Sequence, residues 1–135
     1  MNQGFELPLI KQFARQLLHA LSQMKQLGIV HCDIKPENIL LKEKDTPDIK
    51  IIDFGTGCFE GHIVYSYIQS RYYRAPEIIL GLPYAVAIDM WSVGCVLLEM
   101  HLGMPLFMGQ NEADHLLMIM EYRGIPPIKL ILVWP

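Results

Sequence analysis

The sequence predicts a mainly α-helical fold that carries one small β-hairpin. Three observations support this fold class: an amphipathic period between Pro8 and Gly28, two short β-prone runs around a polar turn, and a helix-length apolar segment at 89–100. The chain has 135 residues, of which 52% are hydrophobic and 19% charged. This supplies one domain with a real core, and the chain is too short for two ordinary domains.

The first predicted element is an amphipathic helix near the N-terminus. Pro8 lies where a first-turn proline is tolerated, and Gly28 lies where a helix usually stops. Between them, apolar residues recur every three or four positions: Ile10, Phe13, Leu17, Leu21 and Met24. This spacing predicts one apolar face that packs against the core.

A small hairpin and a long loop are predicted next. Residues 39–41 and 49–52 are rich in isoleucine and leucine, and a polar turn former at 45–48 separates them. Residues 54–76 contain glycines, tyrosines and arginines without a steady period, so we expect a long ordered loop there. A loop of this length inside a compact domain is usually functional.

Two helices are predicted in the second half of the chain. The segment 89–100 is apolar on nearly every side, which is typical of a fully buried helix. Residues 112–123 follow as a last helix, whose apolar side comprises Leu116, Leu117, Ile119 and Met120. No repeat or linker divides the chain, so residues 1–135 are assigned to one domain.

Composition argues against several classes of protein. A formal net charge of -3 gives no electrostatic reason to expect nucleic acid or an anionic membrane as a partner. The longest apolar stretch is about half the ~20 residues that a bilayer span needs, and no signal peptide is evident. The three cysteines have neither disulfide-framework nor metal-site spacing. We therefore expect an intracellular protein of the cytoplasm, the nucleus or both.

The segment 31–38 carries the residue types that phosphoryl transfer needs. This reaction requires a carboxylate to receive the proton of the attacking hydroxyl, oxygen ligands for Mg²⁺ and a cation near the phosphate. Asp33, Lys35 and Asn38 offer a catalytic base, a phosphate-stabilising cation and a Mg²⁺ ligand. The hairpin's second strand runs into Asp53, a second Mg²⁺ ligand. These hard oxygen ligands suit Mg²⁺ rather than zinc. The Mg²⁺ bound by Asp53 would bridge the β- and γ-phosphates of a nucleotide, so ATP and Mg²⁺ are the expected cofactors.

Four motifs follow one another along the chain. Those that contain Asp33 and Asp53 precede Arg74-Ala75-Pro76-Glu77, and Asp89-x-Trp91-Ser92-x-Gly94 opens the apolar helix. In this order and spacing they resemble the protein kinase family, over about residues 3 to 127. The resemblance implies a partial kinase domain: the large, C-terminal lobe of a protein-kinase-like fold, incomplete, with the nucleotide-binding lobe and the C-terminal helices absent.

Finer features resemble the dual-specificity tyrosine-phosphorylation-regulated (DYRK) branch. Lys35 marks serine/threonine kinases rather than dedicated tyrosine kinases. Cys32 in place of the usual arginine, Tyr65-Ser66-Tyr67 and the run 69–74 are similar to the DYRK branch. Thr56-Gly57 departs mildly from the serine-rich pair that this branch leads one to expect.

The resemblance also implies structural and regulatory roles. His31 and Asp89 would be structural, with Asp89 hydrogen-bonded to the catalytic-loop backbone, and Glu77 would pair with an arginine beyond Pro135. Most protein kinases dock an activation-loop phosphate on the arginine before the catalytic Asp, but that position is occupied here by an uncharged cysteine. We therefore expect the activating phosphate on Tyr67, received by Arg71 and Arg74.

Three functions from different classes remain open. The first is ATP-dependent phosphorylation of protein serine and threonine by a longer kinase, which also autophosphorylates a tyrosine of its activation loop. The partners of that kinase are ATP and protein substrates, and the chain alone is expected to be inactive. The second is a truncated, non-catalytic module that binds protein partners but cannot hold ATP. The third, a small-molecule phosphotransferase, is disfavoured because 74–77 and the tyrosine-bearing loop form a protein-substrate platform.

Overall fold

The computed structural model describes residues 4–62 and 65–128. It is rich in helices and carries two small antiparallel sheets, so the predicted fold class is confirmed. In chain order the elements are α1 (Leu7–Gln26), β1 (Ile29–Val30), β2 (Ile39–Leu41), β3 (Ile49–Ile51), β4 (Cys58–Phe59), α2 (Pro76–Ile79), α3 (Ala87–Leu102) and α4 (Glu112–Arg123). Short 3₁₀ turns cover Pro36–Asn38 and Arg71–Tyr73.

Helix α1 has the apolar face that its sequence predicts. The buried residues are the five that recur at helical spacing: Ile10, Phe13, Leu17, Leu21 and Met24. Pro8 lies in the first turn, and Gly28 follows the helix with a left-handed φ of 66°. The apolar face packs against α3, so the two longest helices form the centre of the larger core cluster.

The predicted hairpin is present, and a second strand pair was missed. Strand β2 pairs with β3 so that Ile39 lies opposite Ile51. Strand β4, inside the long loop, pairs with β1 and sets Cys58 opposite Val30. Two-residue strands are too short to show a period of two, which is why the sequence gives no signal for them. This pairing brings the start of the loop against the segment that leads into residues 31–38.

Helices α3 and α4 form where expected, but their burial differs from expectation. Helix α3 buries residues such as Asp89 and Val96, yet Met90, Leu98 and Leu102 are 44–49% exposed, so it is not fully buried. Helix α4 has the predicted bounds because the Asn111 side chain accepts the Asp114 N–H at 2.9 Å. Leu116 and Ile119 are buried, whereas Leu117 is 57% exposed, so its placement on the apolar side was wrong.

A smaller core cluster supports the candidate site. It consists of Val30, Cys32, Ile68, Ala75, Ile78 and Ile88, which come from β1 and the segment after it, the long loop, α2 and α3. These residues join segments that are far apart in sequence, so the site rests on packed side chains rather than on one continuous element. Within residues 4–62 and 65–128, the structure has no helix that combines the length and the apolarity of a bilayer span.

Candidate active site

The Asp33 carboxylate lies at the centre of a hydrogen-bond network. Its Oδ2 accepts from Lys35 Nζ at 2.6 Å and from Asn38 Nδ2 at 3.3 Å. Its Oδ1 accepts from the backbone N–H of Ser70 at 3.0 Å and from the Ser70 hydroxyl at 2.8 Å. Asn38 Nδ2 also donates to the Asp33 carbonyl at 2.8 Å, which closes the loop on itself. The fold thus brings together the three residues that the sequence singles out within 31–38.

The same network sets the charges of the site. Burial by itself would raise the pKa of Asp33, but the bonds from Lys35 and Ser70 outweigh burial and lower that pKa below its usual range. The bond to Asp33 in turn raises the pKa of Lys35. Asp33 is therefore an anion and Lys35 a cation at neutral pH, as a proton acceptor and a phosphate-stabilising cation must be.

Ser70 is a site residue that sequence reasoning missed. Its hydroxyl accepts from Lys35 Nζ at 3.1 Å and donates to Asp33, so it bridges the two charged groups. A serine in a loop, 37 residues from Asp33, has no spacing that would mark it. Only the folding of the long loop back onto residues 31–38 reveals its position.

Asp89 holds the backbone just before Asp33. Its buried carboxylate accepts the N–H of His31 at 2.7 Å and the N–H of Cys32 at 3.0 Å. Cys32 has a φ of 68°, a left-handed conformation that is uncommon outside glycine. Burial raises the pKa of Asp89, and the two N–H bonds act in the opposite direction. These two bonds stabilise the strained turn that aims Asp33.

His31 links the two segments that carry the predicted site residues. Its Nδ1 lies 3.2 Å from the Asp33 N–H, and its Nε2 lies 3.0 Å from the Ile52 carbonyl. The tautomer with a proton on Nε2 satisfies both contacts. The ring also packs against Phe54, with centroids 4.6 Å apart. His31 therefore fixes the distance between the Asp33 loop and the segment that contains Asp53.

Asp53 and Asn38 are suited to a hard cation. The Ile52 N–H donates to the Asn38 carbonyl at 3.0 Å, which places the two residues on adjoining backbone. Asp53 is exposed, has a left-handed φ of 63°, and accepts only the Gly55 N–H, at 3.3 Å, among the described residues. One carboxylate and one amide oxygen match Mg²⁺, which usually takes few protein ligands and completes its shell with water and phosphate.

The predicted phosphate-binding arginines lie in different surroundings. Arg74 is buried, with its guanidinium 4.1 Å from the centroid of the Tyr67 ring and an ion pair of 2.8 Å to Glu112. Arg71 instead donates to the carbonyls of Gly109 and Gln110, at 3.3 and 2.7 Å. Of the two arginines, the fold thus places Arg74 directly against Tyr67.

Gln69 is a second residue that sequence reasoning missed. Its side chain donates to the Ser92 hydroxyl at 2.8 Å and accepts from the Ala75 N–H at 2.8 Å. Its carbonyl accepts from Arg74, and its φ of 65° is left-handed. This buried residue anchors the long loop to α3, and no local pattern predicts a strained glutamine at that position.

Glu77 is half-buried, and its carboxylate makes no ion pair or hydrogen bond with the residues that the structure describes. It lines a cavity of about 550 Å³ together with Trp91 and Tyr122. The indole N–H of Trp91 is buried and likewise lacks an acceptor in the described part of the chain. The structure therefore shows no partner for the Glu77 carboxylate among the residues that it describes.

Comparison with known proteins identifies the family. Residues 2–133 match the protein kinase domain. A Drosophila melanogaster dual specificity tyrosine-phosphorylation-regulated kinase 2 is 52% identical over 96% of this chain and 18% of its own length. Human dual specificity tyrosine-phosphorylation-regulated kinase 4 is 51% identical over 96% of the chain and 25% of its length. The Saccharomyces cerevisiae dual specificity protein kinase YAK1 is 52% identical over 95% of the chain and 16% of its own length. The chain thus spans a quarter or less of these relatives.

Proposed function

This chain belongs to the protein kinase family, and on that premise we propose that it is the catalytic-loop part of a DYRK-like kinase. That kinase transfers the γ-phosphate of ATP to serine and threonine side chains of proteins and phosphorylates a tyrosine of its own activation loop. The names of the similar proteins, dual specificity kinases, support the combination of these two activities. The observation that carries the proposal is the ionised Asp33 carboxylate, held between Lys35 and Ser70.

The chain's own residues have distinct tasks in this reaction. Asp33 accepts the hydrogen bond, and then the proton, of the attacking substrate hydroxyl. Lys35 donates to the phosphoryl group in transfer while it remains within reach of Asp33. Asn38 and Asp53 would hold a magnesium ion, which would supply positive charge to neutralise the phosphate oxygens. Ser70 keeps Asp33 and Lys35 aligned before the substrate arrives.

The test is to incubate the full-length kinase that contains this chain with ATP, Mg²⁺ and a mixed protein substrate. We expect phosphoserine and phosphothreonine on the substrate and phosphotyrosine on the kinase, located by mass spectrometry. The 135-residue chain alone should be inert, because phosphoryl transfer depends on positioning ATP from both sides. Phosphate transfer to small molecules alone would favour the small-molecule phosphotransferase. No phosphate transfer by the folded full-length protein would favour the non-catalytic module, and either result would reject the proposal.

Tyr67 is the proposed activating site of the kinase. Tyr67 is 68% exposed, and the Arg74 guanidinium lies against one face of its ring. A phosphate would add a charge of about -1.5 to -2 and compete with Glu112 for the guanidinium of Arg74. We propose that Arg71 then turns from its carbonyl partners to the phosphate, which orders the loop.

We expect Tyr67→Phe to lower the activity of the full-length kinase by about tenfold or more, because charge-assisted hydrogen bonds of about 1.5–3 kcal/mol are lost. Tyr65→Phe is the matched control, since Tyr65 is also exposed but has no arginine beneath its ring in the described part of the chain. The measurement is initial rate together with mass spectrometry of the loop. Active enzyme with an unmodified Tyr67 would contradict this assignment.

A further inference from the structure

Two thiols lie against each other beside the candidate active site. Cys32 Sγ and Cys58 Sγ are 3.9 Å apart. Cys32 is fully buried, whereas Cys58 is partly open to solvent. The β1–β4 pairing creates this proximity, because it sets Cys58 opposite Val30, two residues before Cys32. Spacing along the sequence gives no hint of the pair, since 26 residues separate the two cysteines.

The backbone at Cys32 is held more firmly than the backbone at Cys58. The N–H of Cys32 is bonded to the buried Asp89 carboxylate, and the Cys32 carbonyl accepts the Gln69 N–H at 3.0 Å. Cys58 lies on a two-residue strand at the edge of a two-stranded sheet. A disulfide requires the sulfurs to approach to about 2.05 Å. The movement that closes the gap therefore falls on Cys58 and on the turn that precedes it.

We propose that Cys32 and Cys58 form a reversible disulfide when the protein meets a peroxide. The Cys58 sulfur, the more accessible of the two, attacks hydrogen peroxide, which gives Cys58 sulfenic acid and one water. The Cys32 sulfur then attacks the Cys58 sulfur, and hydroxide leaves with the Cys32 proton as a second water. The two thiols lose two electrons in total, and one peroxide molecule is reduced.

The environment of Cys32 suits the second step better than the first. Burial, and the neighbouring Cys58 and Asp89, raise the pKa of the Cys32 thiol well above its usual range. The raised pKa slows attack by Cys32 on any partner, but burial keeps solvent peroxide away from Cys32, whereas the Cys58 sulfur lies in contact with it. Oxidation of Cys58 therefore ends in a disulfide, which a reducing compartment can reverse, rather than in the irreversible sulfinic acid.

The disulfide would cross-link two segments that meet at the site. Cys32 immediately precedes Asp33, and Cys58 follows the turn in which Gly57 N–H donates to the Phe54 carbonyl at 3.0 Å. Movement of Cys58 toward Cys32 shifts this turn, which begins at Phe54, the residue after Asp53. If the proposed kinase function is correct, we expect oxidation to lower activity and dithiothreitol to restore it. The chemistry of the disulfide itself does not depend on that function.

The test is to treat the purified protein with hydrogen peroxide, alkylate the remaining thiols and map the peptides by mass spectrometry. We expect one linked pair of peptides that contains Cys32 and Cys58, lighter by two hydrogen atoms and restored by dithiothreitol. Cys95→Ser is the matched control, because Cys95 is also buried, with its pKa raised to about 12 by burial, and should not affect the link.

Replacing each cysteine separately tests which thiol reacts with peroxide first. Cys58→Ser should leave Cys32 reduced, and Cys32→Ser should leave a sulfenic acid at Cys58 that dimedone traps. Circular dichroism checks that both variants fold, and agreement of either folded variant with its expected product supports the pair. Sulfinic acid at Cys58 of the unsubstituted protein without any link, or a link that uses Cys95, would overturn the inference.

Discussion

Replacing Asp33 by asparagine in the full-length kinase is expected to lower kcat by about 10²–10⁴-fold, the usual contribution of a positioned general base. An amide cannot accept the proton of the substrate hydroxyl. In either orientation its NH₂ group would face a donor of the present network, either Lys35 Nζ or the Ser70 N–H. The KM for ATP should change little, because the variant keeps Asn38 and Asp53. Initial rates over a range of ATP concentrations separate the two quantities.

The matched control is Asp48→Asn, which makes the same chemical change at an exposed position before β3. It should leave kcat within a factor of about two of the unsubstituted enzyme, since surface substitutions change little. If Asp33→Asn also retained activity within about tenfold, Asp33 would not be the base, and the role of Lys35 would need reassignment.

Local periodicity explains why much of the fold could be predicted from the sequence. The face of α1 and the position of α4 follow from their apolar spacing. The β2–β3 hairpin follows from two β-prone runs on either side of a turn. The β1–β4 pair does not, because its two-residue strands form only where distant segments meet.

The same difference between local and distant signals decides which residues of the candidate site could be predicted. The residues of 31–38 could be named because one short segment contains several of the residue types that phosphoryl transfer needs. Ser70 and Gln69 could not, since each acts through contacts with segments far along the chain. The left-handed conformations of Cys32, Asp53 and Gln69 could not be predicted from the sequence either, because these residue types usually adopt a negative φ.

Helix α3 shows a limit of a different kind. Its apolar composition indicates a buried helix, yet Met90, Leu98 and Leu102 are 44–49% exposed. Composition reports how much apolar surface a helix has to cover, and it does not report which part of a protein covers it.

Removing the Asp89 carboxylate is expected to cost the 135-residue chain about 2–5 kcal/mol of unfolding free energy. The carboxylate is 1% exposed and satisfies two buried backbone donors, the N–H groups of His31 and Cys32. Asp89→Ala leaves both N–H groups without an acceptor and leaves the left-handed turn at Cys32 unsupported. Urea unfolding followed by Trp fluorescence measures the loss as a shift of midpoint at constant slope.

Asp114→Ala is the control for this variant, because Asp114 Oδ2 also accepts one backbone N–H, that of Gln110 at 2.8 Å, but at an exposed position. Water can replace that acceptor, so we expect a cost of about 0.5–1.5 kcal/mol. Equal costs for the two variants would mean that the Asp89 bonds are no stronger than a solvent-exposed hydrogen bond. Residues 31–38 would then have to be held in place mainly by His31 and by the bonds from Ser70 to Asp33.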